Sequence, residues 1–305
     1  PISIGEIWYN GYRHIQSVVK VSANGEHFVH NNICKAVQLA ESKKISARQG
    51  CTLSTLIARK GIPWNVPLSG ATIKGLYSFS FGKATIHILS PNSDDISNVE
   101  SFWKKKLIID GLLSKAHSEE FWDDAFEYSL SKDKPGFHYH ERNVSKSYDL
   151  IKMMEEIYEP DDSATNGSSI AFVLEVDEKR VLFLGDAHAE TIVDSLMELY
   201  GKENAPFWFD AVKLSHHGSY NNNSPELLKL VRCNNWLIST NGDKYNHPDL
   251  PTLAHIIANG NNHEPRLYFN YNIELSRELT AQSYHDDFEF EIITPVGEQG
   301  ITITI

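Results

Sequence analysis

The chain has 305 residues, of which 41% are hydrophobic, and its formal net charge is -12 at pH 7. This length is enough to bury one large core or two ordinary ones, so the composition indicates a globular protein. The acidic balance works against broad electrostatic binding of nucleic acid, because sequence-independent phosphate binding needs clustered lysine and arginine. A local basic channel, a bound metal ion or a partner subunit would be needed to supply such binding.

The sequence leads us to expect neither a membrane span nor a secretion signal. No stretch reaches the roughly 18 to 20 consecutive apolar residues that a membrane span needs, and the first residues lack the basic and apolar regions of a signal peptide. The three cysteines, Cys34, Cys51 and Cys233, are odd in number and form no C-x-x-C pair. Such cysteines are typical of reduced core thiols. We therefore expect a cytoplasmic protein that does not enter a membrane.

The first half of the chain changes its pattern several times. Isoleucines and aromatic residues up to Tyr9 favour a short strand, and apolar residues at helical spacing over 27–63 predict a small α-helical insertion. Apolar residues over 71–90, interrupted at Gly82, predict a hairpin near the edge of a sheet. The mostly polar segments over 94–158 are typical of solvent-facing helices, and nothing catalytic is evident there.

The second half alternates β and α patterns. We predict strands at 170–176, 181–184, 211–214, 236–239, 266–269, 288–293 and 301–305, with helices at 189–200, 224–231 and 250–258. Alternation of this kind predicts an α/β layered fold. The expected segments are a β segment at 1–26, a helical insertion at 27–70, a hairpin with polar helices at 71–160, and the main α/β region at 161–305.

Three successive predicted strands are each followed by side chains that can bind metal. These are Asp186, then His216 with His217, then His247. Singly, each has an ordinary structural explanation, because Asp186 could cap the next helix and the histidines could be solvated loop residues. Together they are expected to meet at one edge of a sheet, where α/β proteins commonly build sites. A carboxylate with imidazoles suits zinc, manganese or iron, and bound metal lowers the pKa of a water for hydrolysis.

The order of these motifs resembles the competence-type (ComEC-like) branch of the metallo-β-lactamase superfamily. The resemblance covers about residues 166–260 and rests on the runs 183–186, 212–219 and 246–248. It implies an α/β fold of the αββα sandwich type, with its N-terminal portion missing and a helical insertion. It also implies a metal-dependent hydrolase, a phosphodiesterase or nuclease that uses a metal-activated water.

The resemblance also assigns roles to residues. Asp186 would bridge two divalent ions, zinc or manganese, and His216, His217 and His247 would be metal ligands or contacts to substrate oxygens. Asp186, His216 and His217 would take part in catalysis, and which member of the adjacent histidine pair binds metal stays open. Substrate contacts are expected from polar residues near these loops: Asn166, Ser168, Ser219 and Tyr245.

The chain departs from the superfamily pattern at the principal ligand motif. H-x-H-x-D-H should precede this entire sequence, and it is absent. The only H-x-H, His138-Tyr139-His140, has no Asp-His after it and is interpreted as a surface loop. His188 lies two residues from Asp186 and could support a ligand from behind, but it is interpreted as a surface residue at a helix start. We therefore expect an incomplete centre, whose other ligands lie on a removed or disordered N-terminal segment or on a partner protein.

Three functions remain open at this point. The first is cleavage of a phosphodiester in a nucleotide or nucleic acid. The second is hydrolysis of another ester-type bond, because one scaffold hosts many chemistries. The third is a catalytically inactive regulatory subunit of a multiprotein assembly such as a defence system, which metal content would distinguish from the other two.

Overall fold

The computed structural model describes residues 2–15, 53–109, 149–242, 245–260, 264–281, 288–297 and 300–305. The chain forms two compact units, one of Pro1–Ile73 with Ser93–Pro135 and the other of Lys74–Asn92 with Gly136–Ile305. The described part is a mixed α/β protein, as predicted. No helix in these ranges combines the length and apolar character needed to cross a bilayer.

The first unit contains three described α-helices, α1 (Tyr12–Ile15), α2 (Leu53–Lys60) and α3 (Ser93–Ile109). Tyr12 of α1 packs edge-on against Trp103 of α3, with ring centroids 5.8 Å apart. Both side chains are buried, so this contact is part of the core of the unit. The prediction of helix before Gly61 is confirmed for α2, whereas residues 27–52 lie outside the described residues.

The strand predicted up to Tyr9 is wrong. Within residues 2–15 the only β pairing is a single bridge between Ile7 and Trp64. Ile2 and Ile4 are 93% and 52% exposed, so the apolar side chains that suggested a strand have no core to face. A strand needs a neighbour with which to form a ladder of hydrogen bonds, and here that ladder stops after one step.

The second unit is built on an eight-stranded sheet. Its described strands, in chain order, are β1 (Tyr77–Phe81), β2 (Ala84–Ser90), β3 (Ala171–Val176), β4 (Lys179–Phe183), β5 (Phe207–Phe209), β6 (Ala211–Lys213), β7 (Val231–Cys233), β8 (Asn235–Ile238), β9 (Arg266–Phe269) and β10 (Glu291–Ile293). The order across the sheet is β1, β2, β3, β4, β6, β8, β9, β10, and β5 pairs with β7 in a separate sheet. The pairs β1–β2, β2–β3 and β3–β4 are antiparallel, whereas β4, β6, β8, β9 and β10 run parallel to one another.

Six described α-helices accompany this sheet: α4 (Leu150–Met153), α5 (Ala164–Gly167), α6 (Ala189–Tyr200), α7 (Pro225–Leu230), α8 (Leu250–Asn259) and α9 (Glu274–Ala281). Helix α6 shows why the chain is helical there. Ala189, Ile192, Val193 and Leu196 recur at the spacing that places them on one face, and all four are buried in the core.

Most elements predicted for the second half are confirmed within one or two residues. The hairpin at the sheet edge is also confirmed, since β1 and β2 form the outermost antiparallel pair. The strand predicted at 301–305 is wrong, because residues 300–305 form no strand despite their alternating sequence. The sequence reasoning also missed β5, β7 and α9. Strands β5 and β7 have three residues each, which is too short for a periodicity to show.

Cys233 is a free, buried thiol, in agreement with the prediction of core cysteines. Burial raises the pKa of this thiol to about 12. A thiol with so high a pKa carries almost no thiolate at neutral pH, so Cys233 is a packing residue and not a nucleophile. Cys34 and Cys51 lie outside the described residues.

The start of α7 provides a first test of the fold. Ser224 is the N-cap, and its hydroxyl accepts a hydrogen bond of 3.1 Å from the Leu227 amide. We expect Ser224→Ala to lower the free energy of unfolding by about 1 kcal/mol, because the alanine leaves a helix-start amide without its acceptor. Ser101→Ala, at an exposed serine in the middle of α3, is the matched control and should change it by less than about 0.5 kcal/mol. Urea denaturation of the two variants measures the difference, and equal effects would contradict the cap.

Candidate metal centre

The predicted ligands follow three neighbouring strands of the sheet. Asp186 comes after β4, His216 and His217 after β6, and His247 after β8. Because β4, β6 and β8 are adjacent and parallel, their carboxyl ends lie at one edge, so the predicted shared edge is confirmed. The N-cap of α6 is His188, which means that Asp186 is not the helix cap that its position also allowed.

The loop after β6 holds its two histidines in a strained backbone conformation. His216, His217 and Gly218 have φ values of 42°, 60° and 92°, so three consecutive residues are left-handed. A non-glycine residue in this region costs on the order of 1–2 kcal/mol, and such strain persists only where the surroundings enforce it. The surroundings here include the His216 amide, which donates to the Gly185 carbonyl at 2.9 Å, and the Asn223 side chain, which bonds the backbone of the loop.

Two of the predicted imidazoles lie in contact with each other. The ring centroids of His216 and His247 are 5.4 Å apart. The Tyr245 ring lies beside both, with centroids 6.4 Å from His216 and 6.1 Å from His247. His217 is exposed, its ring centroid is 6.0 Å from that of His216, and its Nδ1 is bonded to the Ser239 carbonyl. The structure therefore groups His216, His247 and Tyr245, with His217 at the rim.

In His217 and His247, a hydrogen bond at Nδ1 determines which ring nitrogen is available to bind a cation or to accept a proton. His247 Nδ1 lies 3.1 Å from an oxygen of the Asp249 carboxylate, and His217 Nδ1 faces the Ser239 carbonyl. Both acceptors lack a proton to give, so each Nδ1 carries the hydrogen and each Nε2 keeps its lone pair. A histidine that binds metal is held in this way by an oxygen acceptor on its other nitrogen.

Asp249 also joins the two loops that carry the histidines. Its second carboxylate oxygen accepts a hydrogen bond of 2.8 Å from the Tyr220 amide, and its own amide donates to the Gly218 carbonyl at 3.1 Å. The side chain of Asp249 is nearly buried, so these bonds form out of contact with bulk water. The position of His247 relative to the His216 loop therefore depends on Asp249.

Asp186 acts electrostatically on two groups in the site. Burial lowers the pKa of the His216 imidazole, and the Asp186 carboxylate opposes that shift. Burial also lowers the pKa of the Lys213 ammonium, again opposed by Asp186. With a lowered pKa the His216 ring is neutral at pH 7, the state in which it can accept a proton or bind a cation. Within the described ranges the Asp186 carboxylate makes no hydrogen bond or ion pair.

The donor atoms suit a divalent ion, but their number in the described part of the chain is too small. Imidazole nitrogens and a carboxylate are the ligands that zinc and manganese accept. However, no group of three or more His, Cys, Asp or Glu side chains in the described ranges is arranged to hold a metal ion. The described residues therefore present individual ligands and not a full coordination sphere. His138 and His140 lie outside the described residues.

The four predicted substrate contacts have different surroundings. The Asn166 amide lies 2.7 Å from the Asp161 carboxylate and 3.4 Å from His216 Nδ1, so it belongs to the site, as does Tyr245. The Ser168 hydroxyl donates to the Thr165 carbonyl at 2.8 Å and therefore closes a local turn. Ser219 is 3% exposed, and its carbonyl accepts from Asn223 at 2.7 Å.

Sequence reasoning missed several residues around the histidines. They are Asp161, Lys213, Asn222 and Asp249. Two signals were available, namely the run Asn221-Asn222-Asn223 shortly after the histidine pair and the aspartate two residues after His247. Asp161 offered no signal, because the segment that carries it meets the site only through the tertiary fold.

His188 is not the surface residue that its sequence position suggested. It is half-buried, and its Nε2 lies 3.0 Å from the Ser163 carbonyl. Its ring packs on Gly167, where a Cβ would approach the imidazole to 2.6 Å. His188 therefore holds α5, which carries Asn166, in place beside the site.

Comparison of the chain with protein-family models and with curated proteins found no match. The functional assignment therefore depends on the motifs and on the geometry described above.

Proposed function

We propose that the chain is part of a metal-dependent hydrolase that cleaves phosphodiesters, and that its second unit is the C-terminal portion of a metallo-β-lactamase αββα sandwich. The observation that carries the proposal is the state of the side chains at one sheet edge. His217 and His247 have Nδ1 engaged and Nε2 available, and the nearby Asp186 carboxylate has no hydrogen-bond partner in the described ranges. Imidazoles that bind metal are held in this way by an oxygen acceptor on the other nitrogen, and a carboxylate without a hydrogen-bond partner keeps its lone pairs for a cation.

Each residue has a defined task in this proposal. Asp186, His247 and one of the adjacent histidines would hold zinc or manganese, which supplies an activated water and neutralises charge on a phosphate oxygen. His216, neutral at pH 7, would accept or return a proton at Nε2, or hydrogen-bond a substrate oxygen. The remaining ligands would come from outside the described residues or from another polypeptide.

The charge of the chain limits the substrate class. A net charge of -12 repels the phosphates of a long duplex unless a local basic surface offsets it. A small nucleotide, or a strand delivered by a partner protein, is therefore the substrate we propose.

A non-catalytic subunit is the second candidate, and one observation favours it. The described residues contain no group of three metal-competent side chains placed to hold an ion. A protein that kept the fold and lost half of its ligands would have this arrangement.

The test uses the full natural polypeptide, because isolated ligands bind metal weakly. Metal content is measured first, and then hydrolysis of bis(4-nitrophenyl) phosphate and of 4-nitrophenyl acetate with added Mn²⁺ or Zn²⁺. We expect at least one metal ion per molecule and phosphodiester cleavage that a chelator abolishes and Mn²⁺ restores. Cleavage of the acetate alone would replace the phosphodiester by another ester as substrate. Less than one metal ion with no hydrolysis would reject the enzyme in favour of the non-catalytic subunit.

A further inference from the structure

A carboxylate that the proposed chemistry does not use lies at the base of the site. One oxygen of Asp161 accepts hydrogen bonds from the side-chain amides of Asn166 and Asn222, both at 2.7 Å. Its other oxygen accepts from the Ser163 amide at 2.9 Å. Three donors thus converge on one carboxylate. They fix its position, and the carboxylate is the acceptor in all three hydrogen bonds.

Asn222 can satisfy these contacts in one orientation only. It is 1% exposed, and its Nδ2 faces the Asp161 carboxylate at 2.7 Å and the Asp186 carbonyl at 3.3 Å. Both of those atoms are acceptors, so the NH2 group must point to them. A flipped amide would place its oxygen against two acceptors and lose both bonds. The Asn222 oxygen therefore faces His216 Nδ1, at 3.0 Å.

The orientation of Asn222 determines the tautomer of His216. An amide oxygen only accepts, so His216 Nδ1 must carry the hydrogen, and Nε2 keeps the lone pair. The 3.4 Å approach of the Asn166 amide to the same Nδ1 is then a contact between two donors and not a hydrogen bond. If the Asn222 amide were flipped, its NH2 group would face His216 Nδ1. His216 would then carry its hydrogen on Nε2, and that nitrogen could bind no cation.

We infer that Asp161 acts through Asn222 as a positioning pair, which holds His216 in the tautomer whose Nε2 can bind a metal ion or accept a proton. This inference rests on the proposed function for the role of Nε2, but the tautomer itself follows from the contacts alone. The same Asn222 amide bonds the backbone of Asp186, so one buried side chain orients two residues of the site. In metalloproteins, loss of a residue that orients a metal ligand weakens metal binding by about 10–100-fold.

The key variant is Asp161→Asn, which keeps the size of the side chain and adds a donor. Its new amide can bond the Asn222 oxygen, so Asn222 is free to turn and present its NH2 group to His216 Nδ1. We expect long-range ¹H–¹⁵N spectra of the histidine rings to show His216 with its hydrogen on Nδ1 in the natural protein. The variant should shift His216 toward the form with hydrogen on Nε2. The His216 signals are assigned by their loss in His216→Gln.

Two matched variants separate positioning from general damage. Asp162→Asn changes the exposed neighbouring carboxylate and should leave the tautomer unchanged, whereas Asp161→Glu restores the charge and should return it toward the natural state. The inference is overturned if His216 carries its hydrogen on Nε2 in the natural protein, which is read without any change at Asp161. It is also overturned if folded Asp161→Asn leaves the tautomer unchanged. Titration of the natural protein with Zn²⁺ tests the proposed function separately, because the tautomer is read without metal.

Discussion

Replacement of Asp186 by asparagine is expected to reduce metal-dependent phosphodiester cleavage by on the order of 10²–10³-fold, the usual effect of losing one preorganised electrostatic group. The carboxylate carries a charge that a bound cation needs, and the amide does not. The substitution removes no hydrogen bond within the described residues, so we expect the melting temperature to stay within about 2 °C, as for substitutions away from core and network contacts. Initial rates with saturating Mn²⁺ and thermal denaturation give the two quantities.

Asp194→Asn is the matched control for this experiment. Asp194 is exposed on helix α6, and the same change of charge there should leave the rate within a factor of two or so, since exposed substitutions rarely matter. If Asp186→Asn cleaves as fast as this control, Asp186 is not part of a catalytic centre. If Asp186→Asn lowers the rate only together with its melting temperature, the carboxylate has a structural role and our assignment is wrong.

Gly218→Ala is expected to lower the free energy of unfolding by about 2–5 kcal/mol, the sum of left-handed strain and overpacking. Gly218 has a φ of 92°, and a Cβ there would lie 2.6 Å from the Cβ of Pro248. Proline cannot move aside by changing rotamer, so the loop after β6 and the loop after β8 must separate. Since Pro248 follows His247 directly, we also expect weaker binding of Zn²⁺ in the titration. Urea denaturation measures the stability.

Gly82→Ala separates the two causes. Gly82 lies in the turn between β1 and β2 with a φ of 61°, and nothing lies within 4 Å of its added Cβ. This variant should therefore show the strain alone, about 1–2 kcal/mol. If Gly218→Ala costs no more than Gly82→Ala, the close packing of the two site loops is contradicted.

The parts of the fold that the sequence predicted well are those with long or repeated patterns. Helix α6 has four buried residues at helical spacing, and β3 and β4 are apolar runs joined by the turn Asp177-Glu178. Predictions from short or terminal patterns did less well. The residues up to Tyr9 and at 301–305 alternate like strands, but alternation shows only that a segment could pair and not that a neighbour is present.

By itself the sequence placed metal-competent side chains after three successive strands, and the parallel order of β4, β6 and β8 brought them to one edge. The motifs alone made that prediction, because they come directly after apolar runs. Which nitrogen of each imidazole is available was decided by tertiary structure, through acceptors on other segments such as Asp249, Ser239 and Asn222. Asp161 meets Asn222 across a long stretch of chain, at 2.7 Å, and a contact of this kind leaves no periodicity in a sequence. Local patterns record which surface of an element is apolar, whereas hydrogen-bond direction depends on atoms that only the folded chain brings together.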